Sequence, residues 1–153
     1  MKALRIAAVT SSYPRDEDDY AGRFVHDLHT ALVASGHEVT TFCPAAEAAP
    51  SEESGRAGTV RRLGSAPRHD GGAFYGHGLE ANLGRRPLAL RRVLDFVRRA
   101  RRALLELEPR PELLVAHWLV PSGWAVAAAR RRLAVRALGV VHGGDAFVLA
   151  RPT

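Results

Sequence analysis

Leu4-Arg-Ile-Ala-Ala-Val-Thr10, the segment Gly22 to Ser35, and Glu38-Val-Thr-Thr-Phe-Cys43 together decide the fold. The first stretch is apolar on both faces apart from Arg5, the pattern of a strand buried inside a parallel sheet. From Gly22 the period changes. Phe24, Val25, Leu28, Ala31 and Leu32 recur at three and four, which predicts a helix ending at Gly36. Glu38 to Cys43 reads as a second strand, closed by Pro44. A strand, a crossover helix and a second strand make a βαβ unit.

Outward from this unit the alternation continues. Residues 45–58 are rich in Ala, Pro, Ser, Glu and Gly and read as a mobile loop; Thr59 to Leu63 reads as a short strand. The glycine-rich residues 64–87 read as ordered loop. Leu88 to Glu108 is a strong helix, with Leu90, Val93, Leu94, Val97, Leu104 and Leu107 on one side. Arg91, Arg92, Arg98, Arg99, Arg101 and Arg102 occupy the rest, and Pro109 and Pro111 end it. Leu113 to His117 reads as a strand, Ser122 to Leu133 as a helix and Val135 to Val141 as a strand. This order predicts an α/β fold, a Rossmann-like parallel sheet with helices on both faces. Ligands of such sheets sit at the carboxyl ends of the strands. Three segments there are rich in functional side chains: Ser11 to Arg23, His117 to Gly123, and His142 to Phe147.

The 153 residues fit one domain, and the 46% hydrophobic and 25% charged content is that of an ordinary soluble protein. No run approaches the ~18 apolar residues of a membrane span, and the N-terminus carries no signal-peptide pattern. The single cysteine, Cys43, has no internal disulfide partner. These features point to the cytoplasm. The net charge of +6 is uneven: residues 1–54 hold four basic and nine acidic side chains, and residues 55–153 hold 18 arginines and seven acids. A basic half suits nucleic acid, an anionic membrane surface or a phosphorylated ligand. Nucleic acid is disfavoured, because no aromatic side chains interleave with the arginines. The arginine-rich helix reads as a membrane-surface or phosphate-binding face, or as a solvated face over a buried stripe.

The loop after the first strand lacks G-x-G-x-x-G, and Asp16 to Asp19 would repel a pyrophosphate, which argues against a dinucleotide cofactor. Gly22 and Arg23 still lie where a helix start could receive a phosphate; alternatively Gly22 only permits the turn. His117 and Trp118 follow a strand and offer an imidazole and a flat indole suited to a sugar ring, or local packing. His142-Gly143-Gly144-Asp145 offers His and Asp as polar contacts around two small residues, or a tight turn with Asp145 as helix cap. His26, His29 and His37 lie on or beside the first helix. No cysteine or further carboxylate completes a ligand set with them, so no metal is expected.

With these blocks in hand, the chain resembles the N-terminal half of a family 4 glycosyltransferase of the two-domain GT-B fold. The resemblance rests on Tyr13-Pro14, Gly22-Arg23-Phe24, Gly36-His37-Glu38-Val39, Ala116-His117-Trp118-Leu119, Pro121-Ser122-Gly123 and His142-Gly143-Gly144-Asp145. It spans nearly the whole chain. It implies transfer of a sugar from a nucleotide sugar to a hydroxyl acceptor (a glycan, a lipid or a small molecule), with retained anomeric configuration and no cofactor. His142 would be the catalytic contact to the donor sugar. Gly22, Gly143, Gly144 and Asp145 would line the donor side, and Arg23, His117 and Trp118 the acceptor side. Contact of the basic helix with an anionic membrane, at the inner face, would fit the resemblance. Relatives run to about twice this length or more, because a second Rossmann-like domain grips the nucleotide. The expectation is therefore an incomplete GT-B half that needs a C-terminal GT-B domain for catalysis. The competing expectation is a stand-alone Rossmann-like module that binds a sugar, a phosphate or a partner protein without turnover.

Overall fold

The structure, a computed structural model, describes residues 2–47, 49–65, 73–74 and 87–143. In chain order these form β1 (Arg5–Thr10), α1 (Arg23–Ala34), β2 (Glu38–Pro44), β3 (Glu52–Gly55), β4 (Gly58–Leu63), α2 (Pro87–Glu106), β5 (Leu113–His117), α3 (Trp124–Leu133) and β6 (Arg136–Val140). An irregular turn over Leu119–Gly123 joins β5 to α3. Every element expected from the pattern is present, with ends displaced by a residue or two. Most of the expected loop 64–87 lies outside the described residues.

The six strands form one sheet in the order β3-β4-β2-β1-β5-β6. β1 pairs in parallel with β2 and β5, so that Ala8 faces Thr41 on one side and Val115 on the other. The chain moves outward from β1 through β2 to β4, then crosses back to β5 and β6. The order reverses between β1 and β5, and the carboxyl ends of these two strands, Thr10 and His117, are register partners. Such a reversal opens a crevice where ligands of α/β sheets bind.

One expectation needs correction. Residues 45–58 are not all loop, because β3 lies within them and pairs antiparallel with β4. Its four residues are all exposed, so no apolar periodicity marked it. Charge and turn geometry build it instead: Glu52 meets Arg61 at 3.0 Å and Glu53 meets Arg62 at 2.8 Å. Gly58 closes the hairpin at φ +87°, and a Cβ there would stand 2.2 Å from the Val39 carbonyl oxygen, so only glycine fits.

Alternate residues of the strands feed two cores. On one face Ala7, Val9, Phe42, Leu114 and Ala116 pack against Phe96, Ala100 and Leu104 of α2 and Ala125, Val126 and Ala129 of α3. On the other, Ile6, Ala8, Val39 and Val115 pack against Leu32 and Val33 of α1. The buried stripe of α2 is Ala89, Val93, Phe96, Ala100 and Leu104, with Leu90 and Leu94 exposed. The expected stripe, which included those two leucines, is thus rotated about the helix axis. Phe96 takes their place inward and meets Phe74 edge-on at 5.1 Å between ring centroids.

Candidate functional site

Four segments meet at the reversal between β1 and β5. β1 ends at Thr10, whose hydroxyl donates to the Ser12 carbonyl at 2.7 Å and bends the chain over the sheet end. Gly22 then lets α1 begin beside that bend. At φ +68° its missing Cβ would lie 2.4 Å from the Ser12 carbonyl oxygen, so close backbone contact accounts for this glycine. Of the four acids expected to repel a phosphate, Asp19 is buried. Burial alone would raise its pKa, but hydrogen bonds from the Arg15 guanidinium and the Ala21 and Arg15 amides outweigh it and hold the carboxyl below its ordinary value.

Trp118 stands just past β5 with a φ of +62°, a strained setting for a non-glycine residue. Its indole lies 4.5 Å from the His142 ring centroid, and Phe24 from the first turn of α1 lies 4.7 Å from His142 and 5.5 Å from Trp118. Phe24 is about half exposed and His142 and Trp118 are partly so. The three rings form an aromatic wall open to solvent.

Behind the wall runs a line of buried imidazoles. His117 Nδ1 is 3.3 Å from His142 Nε2, His117 Nε2 is 3.2 Å from His29 Nε2, and His29 Nδ1 is 2.9 Å from the Thr41 hydroxyl. His29 is 1% exposed, and His117 and Thr41 are fully buried. Burial, then the neighbouring His117 and His26, pulls the His29 pKa down to about 3; burial, then His142, pulls that of His117 down to about 4. Both rings are neutral at physiological pH. The imidazoles are strung in line, and among the described residues no three His, Cys, Asp or Glu side chains gather around one point.

The residues expected at the site therefore divide. His142 and Trp118 share the open wall. His117, expected to line the cleft, is buried, and its route to any bound molecule is through His142. Arg23 donates to the Glu17 carbonyl and faces away from the wall, into a separate cavity. That cavity, about 470 Å³, is also lined by Arg15, His26, Glu53 and Arg56. Gly143 is exposed beside His142, while Gly144 and Asp145 lie outside the described residues. Sequence reasoning missed Phe24 and Thr41, read as helix face and strand, and weighed His29 only as a metal ligand. The one available signal was a histidine at a helix position facing a strand.

The sequence matches the profile of Glycosyltransferase Family 4 over residues 21–152. No curated protein sequence matches it significantly. Among solved structures, sucrose-phosphate synthase from Thermosynechococcus elongatus is similar over 91% of this chain and 33% of its own, at 20% identity and a TM-score of 0.62. The glycotransferase of kitacinnamycin is similar over 97% of this chain and 34% of its own, at 14% identity and a TM-score of 0.55. A C-terminal domain of a Pyrococcus furiosus hydrogenase is similar over 92% of this chain and 95% of its own, at 15% identity and a TM-score of 0.52. Identities this low carry the α/β fold alone. The chain spans about a third of the synthase and of the glycotransferase.

Proposed function

The chain belongs to Glycosyltransferase Family 4, and on that premise we propose that it is the N-terminal, acceptor-side domain of a GT-B enzyme. The reaction is transfer of a sugar from a nucleotide sugar to a hydroxyl of a glycan, lipid or small molecule, with retention at the anomeric carbon. That carbon exchanges its bond to the diphosphate oxygen for one to the acceptor oxygen, the acceptor proton passes to the departing phosphate oxygen, and nucleoside diphosphate is released. A C-terminal domain supplies the opposite wall of the cleft and the grip on the nucleotide.

The observation that carries this reading is the Phe24, Trp118 and His142 wall at the β1–β5 reversal. Flat aromatic faces suit the C–H face of a sugar, and an imidazole among them suits a sugar hydroxyl or a departing phosphate. Gly143 keeps the flank of His142 narrow, with Gly144 and Asp145 next in the chain. The position of Gly22 at the start of α1, where the helix dipole is positive, supports reading it on the donor side. The cavity lined by Arg15, Arg23, Arg56 and His26, and equally by Asp16, Glu17 and Glu53, supports an acceptor that is polar. A nucleotide sugar and its acceptor suffice for this chemistry, without a resident cofactor. Among the described residues no helix is long and apolar enough to cross a membrane, so any contact of the arginine-bearing α2 with a bilayer would be peripheral.

A second reading, a module that binds sugar or phosphate without turnover, draws support from the same cavity, which this chain lines with its own residues. One experiment separates the two. The protein is offered a panel of nucleotide sugars, alone and with a family 4 C-terminal domain added in trans, and release of nucleoside diphosphate is followed. Release that depends on the added domain is the expected result. Saturable binding of sugar or phosphate, with no release under either condition, would overturn the transferase reading in favour of the second.

A further inference from the structure

The line Thr41–His29–His117–His142 has a direction, and that direction reaches the open wall. A neutral imidazole carries one N–H and one acceptor nitrogen, and which nitrogen holds the hydrogen follows from its partners. Thr41 is fully buried, and His29 Nδ1, at 2.9 Å, is the partner of its hydroxyl. If His29 donated at Nδ1, the Thr41 hydrogen would have to turn to the buried Tyr13 oxygen, and the phenolic hydrogen would then be left without an acceptor among the described residues, an unfavourable outcome. Thr41 therefore donates to Nδ1, and His29 keeps its hydrogen on Nε2. That hydrogen goes to His117 Nε2, 3.2 Å away, so His117 keeps its own on Nδ1. His117 Nδ1 then donates to His142 Nε2 at 3.3 Å. The buried Tyr13 phenol lies at the inner end, where the Thr41 hydroxyl is near enough to act on it, and its oxygen has no formed hydrogen bond. Any hydrogen it offered Thr41 would run the same way.

We propose that Thr41 and His29 are positioning residues which, through the buried His117, hold His142 as the neutral tautomer with its hydrogen on Nδ1 and its Nε2 occupied as an acceptor. The consequence is a polarity set some three side chains away: His142 enters any reaction with Nδ1 as its donor. Because the three rings must turn over together, replacing the hydroxyl at the inner end alters the outer ring without touching it. The neighbouring His26 and Asp27 pair with each other at 3.2 Å, apart from the line.

The test reads tautomers directly and stands independently of any transferase activity. The protein is labelled with nitrogen-15 in its seven histidines, and long-range proton–nitrogen correlations are recorded at neutral pH, with His142 assigned from its loss in His142→Asn. The expected pattern is a pyrrole-like Nδ1 and a pyridine-like Nε2 for His142 and His117, and the reverse for His29. Thr41→Val, nearly the same shape without the hydroxyl, should turn all three into mixed tautomers, and Thr41→Ser should restore the single pattern. A pyrrole-like Nε2 or a doubly protonated ring at His142 in the unaltered protein would overturn the proposal. So would a folded Thr41→Val with all three tautomers unchanged. Should Thr41→Val fail to fold, the pattern of the unaltered protein decides the matter by itself.

Discussion

The two faces of the sheet are built from alternate residues of the same strands, yet they differ in kind. Toward α2 and α3 the strands β1, β2 and β5 bury Ala7, Val9, Phe42, Leu114 and Ala116, all apolar, with Arg5 and Thr40 partly exposed on the same face. Toward α1 they present Ala8, Thr10, Thr41, Cys43, Val115 and His117, apolar at the start of each strand and, Cys43 apart, polar further along. The buried part of the first face offers packing, and packing is non-directional. The second accepts two buried imidazoles, a cost tolerable because each ring nitrogen has a partner. Apolar packing and a buried hydrogen-bonded array thereby lie on opposite sides of one sheet, and substitutions should separate stability from the proposed chemistry.

The sharpest break is at the wall itself. His142→Ala should lower turnover of the complete enzyme by about 100-fold or more, the usual scale for losing a positioned acid–base or charge-stabilising group, while the unfolding midpoint stays near that of the parent. Unchanged turnover would remove His142 from the site. The converse belongs to the other face. Leu104→Ala leaves a cavity under α2 and should cost about 2–5 kcal/mol in urea unfolding, with activity per folded molecule retained. A loss confined to activity would show that the faces are not separable.

Between about pH 6.5 and 4 acid should act chiefly on the α1 face, with the depressed carboxyls of Asp19 and Glu112 adding their own loss below that window. Burial holds His29 and His117 at about 3 and 4 in the folded chain, whereas in the unfolded chain such rings titrate near the ordinary ~6.5. Below that value the unfolded state binds more protons, so stability falls as pH falls toward 4, by up to about 1.4 kcal/mol per pH unit for each ring. Urea midpoints at several pH values, repeated with His29→Gln, should show the acid slope roughly halved; an unaltered slope would mean that His29 is not the neutral buried base described. The smallest effect is expected away from both faces. Asp95 pairs with Arg99 at 2.7 Å on the half-exposed side of α2, and Asp95→Asn should shift stability by no more than about 0.5 kcal/mol. A larger shift would show that the outer side of α2 shares in the packing.

Much of this was legible in the chain. The βαβ unit, β4, β5, β6 and both later helices followed from periodicity, because apolar spacing is what burial selects. β3 was not legible, since its exposed residues Glu52 to Gly55 are held by charge pairs and register with β4 rather than by burial. The inward stripe of α2 was misplaced for a related reason: Leu90 and Leu94 fit a helical period as well as Phe96 does, and only the sheet beneath selects among them.

At the site, residue chemistry and strand ends sufficed to single out His142, Trp118 and His117, because ligands of α/β sheets meet the loops that follow strands. By itself the sequence determined an alternating α/β chain with candidate functional side chains after β1, β5 and β6. The tertiary structure alone decided that His29, 88 residues before His117, would stand 3.2 Å from it, and that Phe24 would join the wall. It also sent Arg23 to a different cavity. Periodicity records which side of an element is buried; the partner it is buried against follows from strand order, and that order is a property of the folded sheet.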